Sequence, residues 1–432
     1  MTRRHTRTAA GIGLLSTALV LGACAANNPG GGGDSTGDAG GTLEIVSWWT
    51  SGSEAEALQV LFDAVQEEVE GLEVVNAAVS GGGGSNAQQA LNARLQGGDP
   101  PDAWQLHPDG QLASYVAGGQ VADLTEFWEE HGWADIVPED VDAVQQIDGV
   151  YYTVPIGVHR GNVLWTNPEV LESAGVTLDE STDLDGLLEA MRAVDESGTT
   201  AVCLGDKDIF AASQVLESVI ISHIGPDGWR DLFTGDLSFD SPEVREAAEI
   251  YGELLSLANS DHSALTWDEA ALRMADGECA VTLMGDWAYG EFVNAGHEPG
   301  TDFSWTPFPA AEQAFVYVGD GFSIPASNIP NEEAAHAFLT LLMDPQVQTD
   351  FAAVKGSIPA VTTADTSALS EYQQSAADSF QSDAIVSSIA HAQAAGAEFA
   401  QTFADAVTTF NGNQNVDALV TTLASAQDSQ LG

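Results

Sequence analysis

Leu43-Glu44-Ile45-Val46-Ser47-Trp48-Trp49, then Ser53-Glu54-Ala55-Glu56, then the run to Gly71 and on through Leu72–Val79, is the stretch that decides the fold. The first segment is apolar and β-prone. Ser53 with Glu56 three residues on has the form of a capping box, which predicts a helix start. Leu58, Leu61, Phe62, Val65 and Val69 follow at helical spacing, and Gly71 ends the run. Leu72–Val79 returns to strand character. Strand, helix and strand within forty residues is the unit of a parallel sheet covered by helices.

The same alternation recurs downstream. Ala87–Leu95 reads as helix, Gly97-Gly98-Asp99-Pro100-Pro101-Asp102 interrupts it, and Ala103–Leu106 reads as a short strand. Asp185–Val194 is a second helix, Thr199–Leu204 a strand, and Ile209–Ile221 another helix. Glu278–Met284 is strand-like and leads into a helix from Trp287. Helices dominate from Asn331 onward, including Glu332–Met343 and Glu398–Phe410. No fixed-period repeat occurs, which argues against a solenoid or propeller.

The N-terminus carries an address. Arg3, Arg4 and Arg7 precede an apolar run, Ile12–Leu21, of signal-peptide length and too short to span a bilayer permanently. Leu21-Gly22-Ala23-Cys24 resembles the bacterial lipoprotein processing site. This implies a signal peptide over residues 1–23 and lipidation of Cys24. The Gly/Asp/Ser/Thr stretch through 24–41 has almost nothing to bury and reads as a flexible tether, spanning roughly 20–25 Å as a Gly-rich coil. A globular body of about 390 residues remains, enough for two domains, on the outer face of a membrane.

Charge excludes more than it assigns. The 432 residues hold 65 acids against 11 lysines and arginines, a formal net charge of −54, and removal of the signal would take away three arginines and no acid. The acids are spread along the chain, as on a solvated acidic surface, and nucleic acid would be repelled. Cys203 and Cys279 lie in apolar strand-like runs of a chain that works outside the cytoplasm. A disulfide is allowed there, and two buried free thiols fit the pattern nearly as well.

Enzyme signatures are missing. There is no Gly-x-Ser-x-Gly elbow, Walker loop, Gly-x-Gly-x-x-Gly after a strand or His-Glu-x-x-His, and no two of the nine histidines stand at i, i+4. Nothing predicts a metal or a cofactor. What stands out is tryptophan at strand ends among hydrogen-bonding groups. Trp48 and Trp49 close the first strand, with Glu54 at the next helix start. Gln105 and His107 share one face of a strand end. Trp267 follows Ser263-Ala264-Leu265-Thr266, Asp286-Trp287 ends the Met284 strand, and Asp320 sits between glycines. Open parallel sheets bind ligands beyond the carboxyl ends of their strands, where most of these groups fall.

That mixture fits a sugar. A pyranose has flat C–H faces for aromatic rings and an equator of hydroxyls for carboxylates, amides and imidazoles, with charge-assisted bonds the stronger. Lys355 joins the set because the chain has only one other lysine, Lys207. A single ammonium among carboxylates supplies a donor to a hydroxyl.

Leu43–Trp49, Gly98–Asp102, His159-Arg160-Gly161-Asn162-Val163-Leu164-Trp165, Ser263–Trp267, Met284-Gly285-Asp286-Trp287 and Lys355-Gly356-Ser357-Ile358-Pro359-Ala360, in this order, resemble the extracellular solute-binding proteins of bacterial ABC sugar importers. The likeness runs over the whole body and leans towards glucose and other monosaccharide binders. It implies an α/β, two-lobed periplasmic-binding-protein fold of type II, each lobe a mostly parallel sheet with flanking helices, and a ligand cleft between lobes. One lobe would be 42–155 plus 314–358, the other 156–313 plus 359–432. Aromatic platforms would be Trp48 or Trp49, Trp267 and Trp287. Polar contacts would be Glu54, Gln105, His107, Asp320, Lys355 and His391, the last suggested by the resemblance alone. Gly205-Asp206-Lys207-Asp208 departs from the family's pattern at the cleft rim. The expected protein is a monomeric, lipid-anchored receptor passing glucose, galactose or mannose to an ABC permease. The alternatives are an oligosaccharide receptor of the same fold, a lectin-like adhesin, and a surface glycoside hydrolase using Glu54 and Asp320.

Overall fold

The computed structural model describes residues 40–50, 52–81 and 84–431. The expected signal peptide, Cys24 and nearly all of the tether lie outside the described residues. Thirteen strands are described: β1 (Thr42–Val46), β2 (Glu73–Asn76), β3 (Ala103–Leu106), β4 (Gln146–Ile147), β5 (Val150–Tyr151), β6 (Val154–Arg160), β7 (Val163–Thr166), β8 (Thr200–Val202), β9 (Cys279–Met284), β10 (Ser304–Pro307), β11 (Ala314–Ser323), β12 (Ile358–Pro359) and β13 (Ala384–Ser387). They form a seven-stranded sheet in the order β12-β6-β11-β3-β1-β2, with β13 also on β11. A four-stranded sheet, β10-β7-β9-β8, and the small β4-β5 pair complete them.

The opening unit folds as its pattern predicts. Leu43 and Ile45 are fully buried and join one core with Leu58, Leu61, Phe62 and Val65 of the helix Gly52–Glu68. Val46, on the other face of the pleat, packs with Trp104, Leu106, Leu91 and Tyr115. Both faces of the sheet are therefore covered, and each large apolar side chain removed from water contributes about 1.5–3 kcal/mol. β1 pairs in parallel with β2 and β3.

The expectation of mostly parallel sheets needs correction, because both sheets are mixed. β11 runs antiparallel to β3 and β6, and β12 antiparallel to β6. β7 is antiparallel to both β9 and β10, while β8–β9 and β11–β13 are parallel. β6 and β11 are buried along their full lengths and pair from Tyr317 opposite Arg160 to Phe322 opposite Val154. Strand pairing thus continues through the expected lobe limit at residue 155. A register shift between Asp320 and Gly321 leaves Ile156 as the extra residue. Such a bulge bends the ribbon and re-aims a side chain, here Asp320. Glycine is required on both sides: a Cβ at Gly319 would collide with Tyr317 Oη, and one at Gly321 would lie 2.7 Å from Thr153 Oγ1.

The capping box expected of Ser53 and Glu56 does not form. Ser53 N and Oγ donate instead to Glu291 Oε1, at 2.8 and 2.9 Å, a residue 238 positions away. A carboxylate at a helix N-terminus serves the same free N–H groups and favours the same end of the dipole. Ser53 is thus turned from local capping to tying two distant helices together.

Cys203 and Cys279 are joined as a disulfide, with Cα atoms 5.8 Å apart, between the end of β8 and the start of β9. The bond closes a segment of 76 residues, so its loss frees considerable unfolded-chain entropy. Cys203→Ala with Cys279→Ala is expected to lower stability by about 2–4 kcal/mol in urea denaturation. An unchanged midpoint would contradict this role.

Candidate functional site

Strand ends from both sheets converge on one chamber. Trp48 and Trp49 follow β1, His107 follows β3, and Asp320 lies on β11 opposite the β6 bulge. Phe210 and Trp287 begin helices after β8 and β9, and His391 lies in the turn after β13. Lys355 ends the helix Pro345–Lys355, Trp267 begins the helix Trp267–Ala275, and Glu54 occupies the first turn after β1. Nine of the ten expected sugar-contacting residues line this chamber, with Phe210 and Val318 in addition. The tenth, Gln105, does not.

Gln105 is instead the bracket behind the wall. Its Oε1 accepts from Ser47 Oγ at 2.6 Å and from the Trp48 N–H at 3.3 Å, while its Nε2 donates to Asp320 Oδ1 at 2.9 Å. It thereby fixes the backbone that carries the tryptophans and the carboxylate beside them. Asp320 Oδ2 lies 3.0 Å from His159 Nε2, off the line of a good hydrogen bond, and His159 Nδ1 is 2.5 Å from Asp286 Oδ1. Asp286 also accepts from the Arg160 N–H at 2.9 Å. All three side chains are almost wholly withdrawn from water.

The charges of this set support one another. Burial alone would raise Asp320, but the adjacent His159 imidazole, then His107 and Lys355, hold it well below the usual carboxylate range. Burial alone would lower His159, and the adjacent Asp286 outweighs it and leaves the imidazole raised. Asp320 is therefore an acceptor for hydroxyl protons and a poor proton donor. The glycosidase reading needs a carboxylic acid at one of its two positions, and Glu54 is already engaged with Lys355 Nζ at 2.7 Å.

Lys355 is buried, with its Nζ 5.4 Å from the Trp49 ring centre and 5.5 Å from that of Trp287. Two aromatic faces and one carboxylate make up for the water that this ammonium has lost. His107 Nδ1 lies 2.9 Å from the Gly319 carbonyl. A carbonyl only accepts, so Nδ1 carries the proton and Nε2 is left a bare acceptor. Nε2 is buried without a partner in the protein. Burial holds the His107 imidazole below its ordinary pKa, and burial with the neighbouring His107 does the same, more strongly, to His391. Both rings are neutral at pH 7.

Aromatic rings complete the walls. Trp48 meets His107 at 4.9 Å, Trp287 meets His391 at 5.3 Å, and Trp267 stands edge-on to Trp287 at 6.5 Å between centres. Phe210, which sequence reading missed, contacts both Trp287 and His391. It follows Lys207-Asp208, where the chain departs from its family's pattern, and that departure was its one signal. The chamber encloses about 50 Å³, while a groove of about 370 Å³ shares Trp48, Glu54, Phe210 and Trp267 with it and is rimmed by Lys207, Asp208 and Asp268. Ligand pockets usually reach about 300 Å³ or more, so the chamber alone is smaller than a typical ligand site and the groove is of that size. Among the described residues no cluster of His, Cys, Asp and Glu is arranged to hold a metal, and no helix is long and apolar enough to cross a membrane.

Aromatic faces around a neutral imidazole pair, two carboxylates and one ammonium define a receptor for a polyhydroxy solute. The chain belongs to the bacterial extracellular solute-binding protein family, whose model matches residues 51–349. It is 31% identical over 394 residues to an ABC transporter extracellular-binding protein of Pyrococcus horikoshii, covering 90% of this chain and 88% of that one. A probable sugar-binding periplasmic protein of Mesorhizobium japonicum is 32% identical over 324 residues, 74% of this chain and 76% of the relative. Among solved structures, a chitin oligosaccharide binding protein superposes with a TM-score of 0.80 at 17% identity, over 90% of this chain and 98% of the other. The protein is therefore an extracellular solute-binding protein with the mixed α/β fold of its solved relatives, a substrate-binding transport protein rather than an enzyme.

The raised His159 gives a pH test with a fixed sign. Its contribution to stability is fully present below the unfolded value of 6.5 and is lost as pH rises through the raised folded value. The stability advantage of the native protein over His159→Gln is expected to shrink from pH 6 to pH 9 in urea titrations. An advantage that stays constant, or grows with pH, would refute the charged pair.

Proposed function

We propose that this protein captures a single hexose, glucose foremost with galactose and mannose as the close candidates, and delivers it to the membrane permease of its transporter. The observation that carries the reading is one chamber in which nine side chains from both sheets meet, with the bare, partnerless Nε2 of His107 among them. Hydroxyls of the ring donate to Asp320, His107 and Glu54, Lys355 donates in return, and the tryptophans cover the C–H faces. Capture proceeds by closure of two lobes, 42–155 plus 314–358 and 156–313 plus 359–432. The β6–β11 ribbon, which passes through residue 155 and bends at the Ile156 bulge, is the axis. A lipid on Cys24 and the tether through residue 41 keep the monomeric receptor at the outer face of the membrane and raise its effective concentration at the permease.

The groove of about 370 Å³ that opens off the chamber favours a second reading, in which an oligosaccharide places one ring in the chamber and the next against Trp267. Titration calorimetry with glucose, galactose, mannose and maltose separates the two. Tighter binding of a hexose than of maltose is expected, and silence with all three hexoses would overturn the monosaccharide reading. Trp287→Ala is expected to weaken the best ligand by about 2 kcal/mol, roughly thirtyfold. Scattering curves with and without that ligand should show a smaller radius of gyration on binding, which a rigid lectin-like adhesin would not.

A further inference from the structure

Glu217 is a fully buried carboxylate that the chamber does not use directly. It lies in the segment Phe210–Thr234, helical but for a break at Gly225, within the stretch that precedes that break. No lysine, arginine or histidine of the described residues forms an ion pair with it. One turn of chain supplies all its hydrogen-bond partners: Ser388 Oγ at 2.8 and 3.0 Å from its two oxygens, the Ile389 N–H at 2.8 Å and the Ala390 N–H at 3.1 Å. That turn ends in His391, a wall of the chamber.

With Glu217 ionised, the proton count along this chain has one solution. Ser388 Oγ also lies 2.8 Å from His391 Nδ1 and accepts from the His391 backbone N–H at 3.3 Å. A serine hydroxyl has a single proton, and an ionised carboxylate only accepts. The Ser388 proton therefore points at Glu217, and the oxygen turns only lone pairs towards the imidazole. His391 Nδ1 must then carry the ring proton, and its Nε2 is bare.

We propose that Glu217, acting through Ser388, is a positioning residue that fixes His391 in its Nδ1–H form, so that the ring meets the sugar as a hydrogen-bond acceptor. The Gly319 carbonyl does the same for His107, whose ring centre is 5.2 Å from that of His391. Two neutral acceptors side by side suit a pair of neighbouring hydroxyls, each donating. The consequence for ligand choice rests on the sugar-receptor reading, whereas the tautomer itself does not.

The test is imidazole nitrogen spectroscopy on protein labelled with 15N-histidine. It is run without sugar at pH 8.5, because burial pushes Glu217 up to about 7 and the carboxylate is ionised above that. The unsubstituted protein is expected to show His391 protonated on Nδ1. In Glu217→Gln the amide N–H donates to Ser388, turns the hydroxyl proton onto His391 Nδ1 and moves the ring proton to Nε2. His107 keeps its Nδ1–H signature in the same spectrum and reports that the fold is intact. If that signature is lost, Ser388→Ala decides, with His391 expected as a mixture of both forms. Sugar affinity of Glu217→Gln should fall about tenfold, the worth of one well-placed hydrogen bond. An Nε2–H signature for His391 in the unsubstituted protein overturns the proposal, as does an unchanged tautomer in a folded Glu217→Gln. A tautomer that switches in a protein binding none of the sugars upholds the relay and overturns the sugar-receptor reading instead.

Discussion

The buried run Asp286–His159–Asp320 is the interaction on which the site depends. One imidazole stands between two carboxylates, 2.5 Å from the first and 3.0 Å from the second. Each ion taken from water alone carries a penalty of several kcal/mol, so none of the three is tolerable without the others. They come from different places: Asp286 from the end of β9 in the smaller sheet, His159 from β6 and Asp320 from β11, opposite the β6 bulge, in the larger one. The two sheets are held in register at the point where the ribbon bends. Asp320 remains an acceptor because of that arrangement, and Gln105 fixes its second oxygen.

A second consequence of burial concerns the cations. Among the described residues every arginine, and Lys355, has a carboxylate within 4 Å. The acids outnumber them several-fold, and most of the surface is therefore left with charges of one sign. Such a surface repels itself, and dissolved salt relieves the strain over distances of about 10 Å. The chamber's one ammonium answers to Glu54 and two indole rings and not to the surface at large.

Much of this was legible in the residues. Alternation in β1 and helical spacing after Ser53 placed the opening unit, and tryptophans at strand ends pointed to the chamber. The scarcity of lysine singled out Lys355, which the fold places in the chamber wall. What escaped was decided by contacts far apart in sequence. The period of a strand put Gln105 and His107 on one face, but only the pairing of β3 with β11 shows that Gln105 is sealed behind Asp320. His159 sits in a wholly buried strand and gave no sign that two carboxylates would frame it. Phe210 and Val318 look like any core residue. Ser53 has every local mark of a capping box, and no local pattern reveals that Glu291 takes the role. The antiparallel course of β6, β11 and β12 was hidden for the same reason, since a short apolar run does not state its direction.

The disulfide has a further meaning once the walls are known. Cys203 and Cys279 tie β8 to β9, and the chain leaving those two strands delivers Phe210 and Trp287, whose rings pack on each other with centres 6.0 Å apart in the chamber wall. A covalent strut thus braces the strands that carry this aromatic pair. Strands still in a reducing cytoplasm lack that strut, because thiols there stay reduced. There β8 and β9 are joined by hydrogen bonds alone, and the Phe210–Trp287 pair is without its covalent brace.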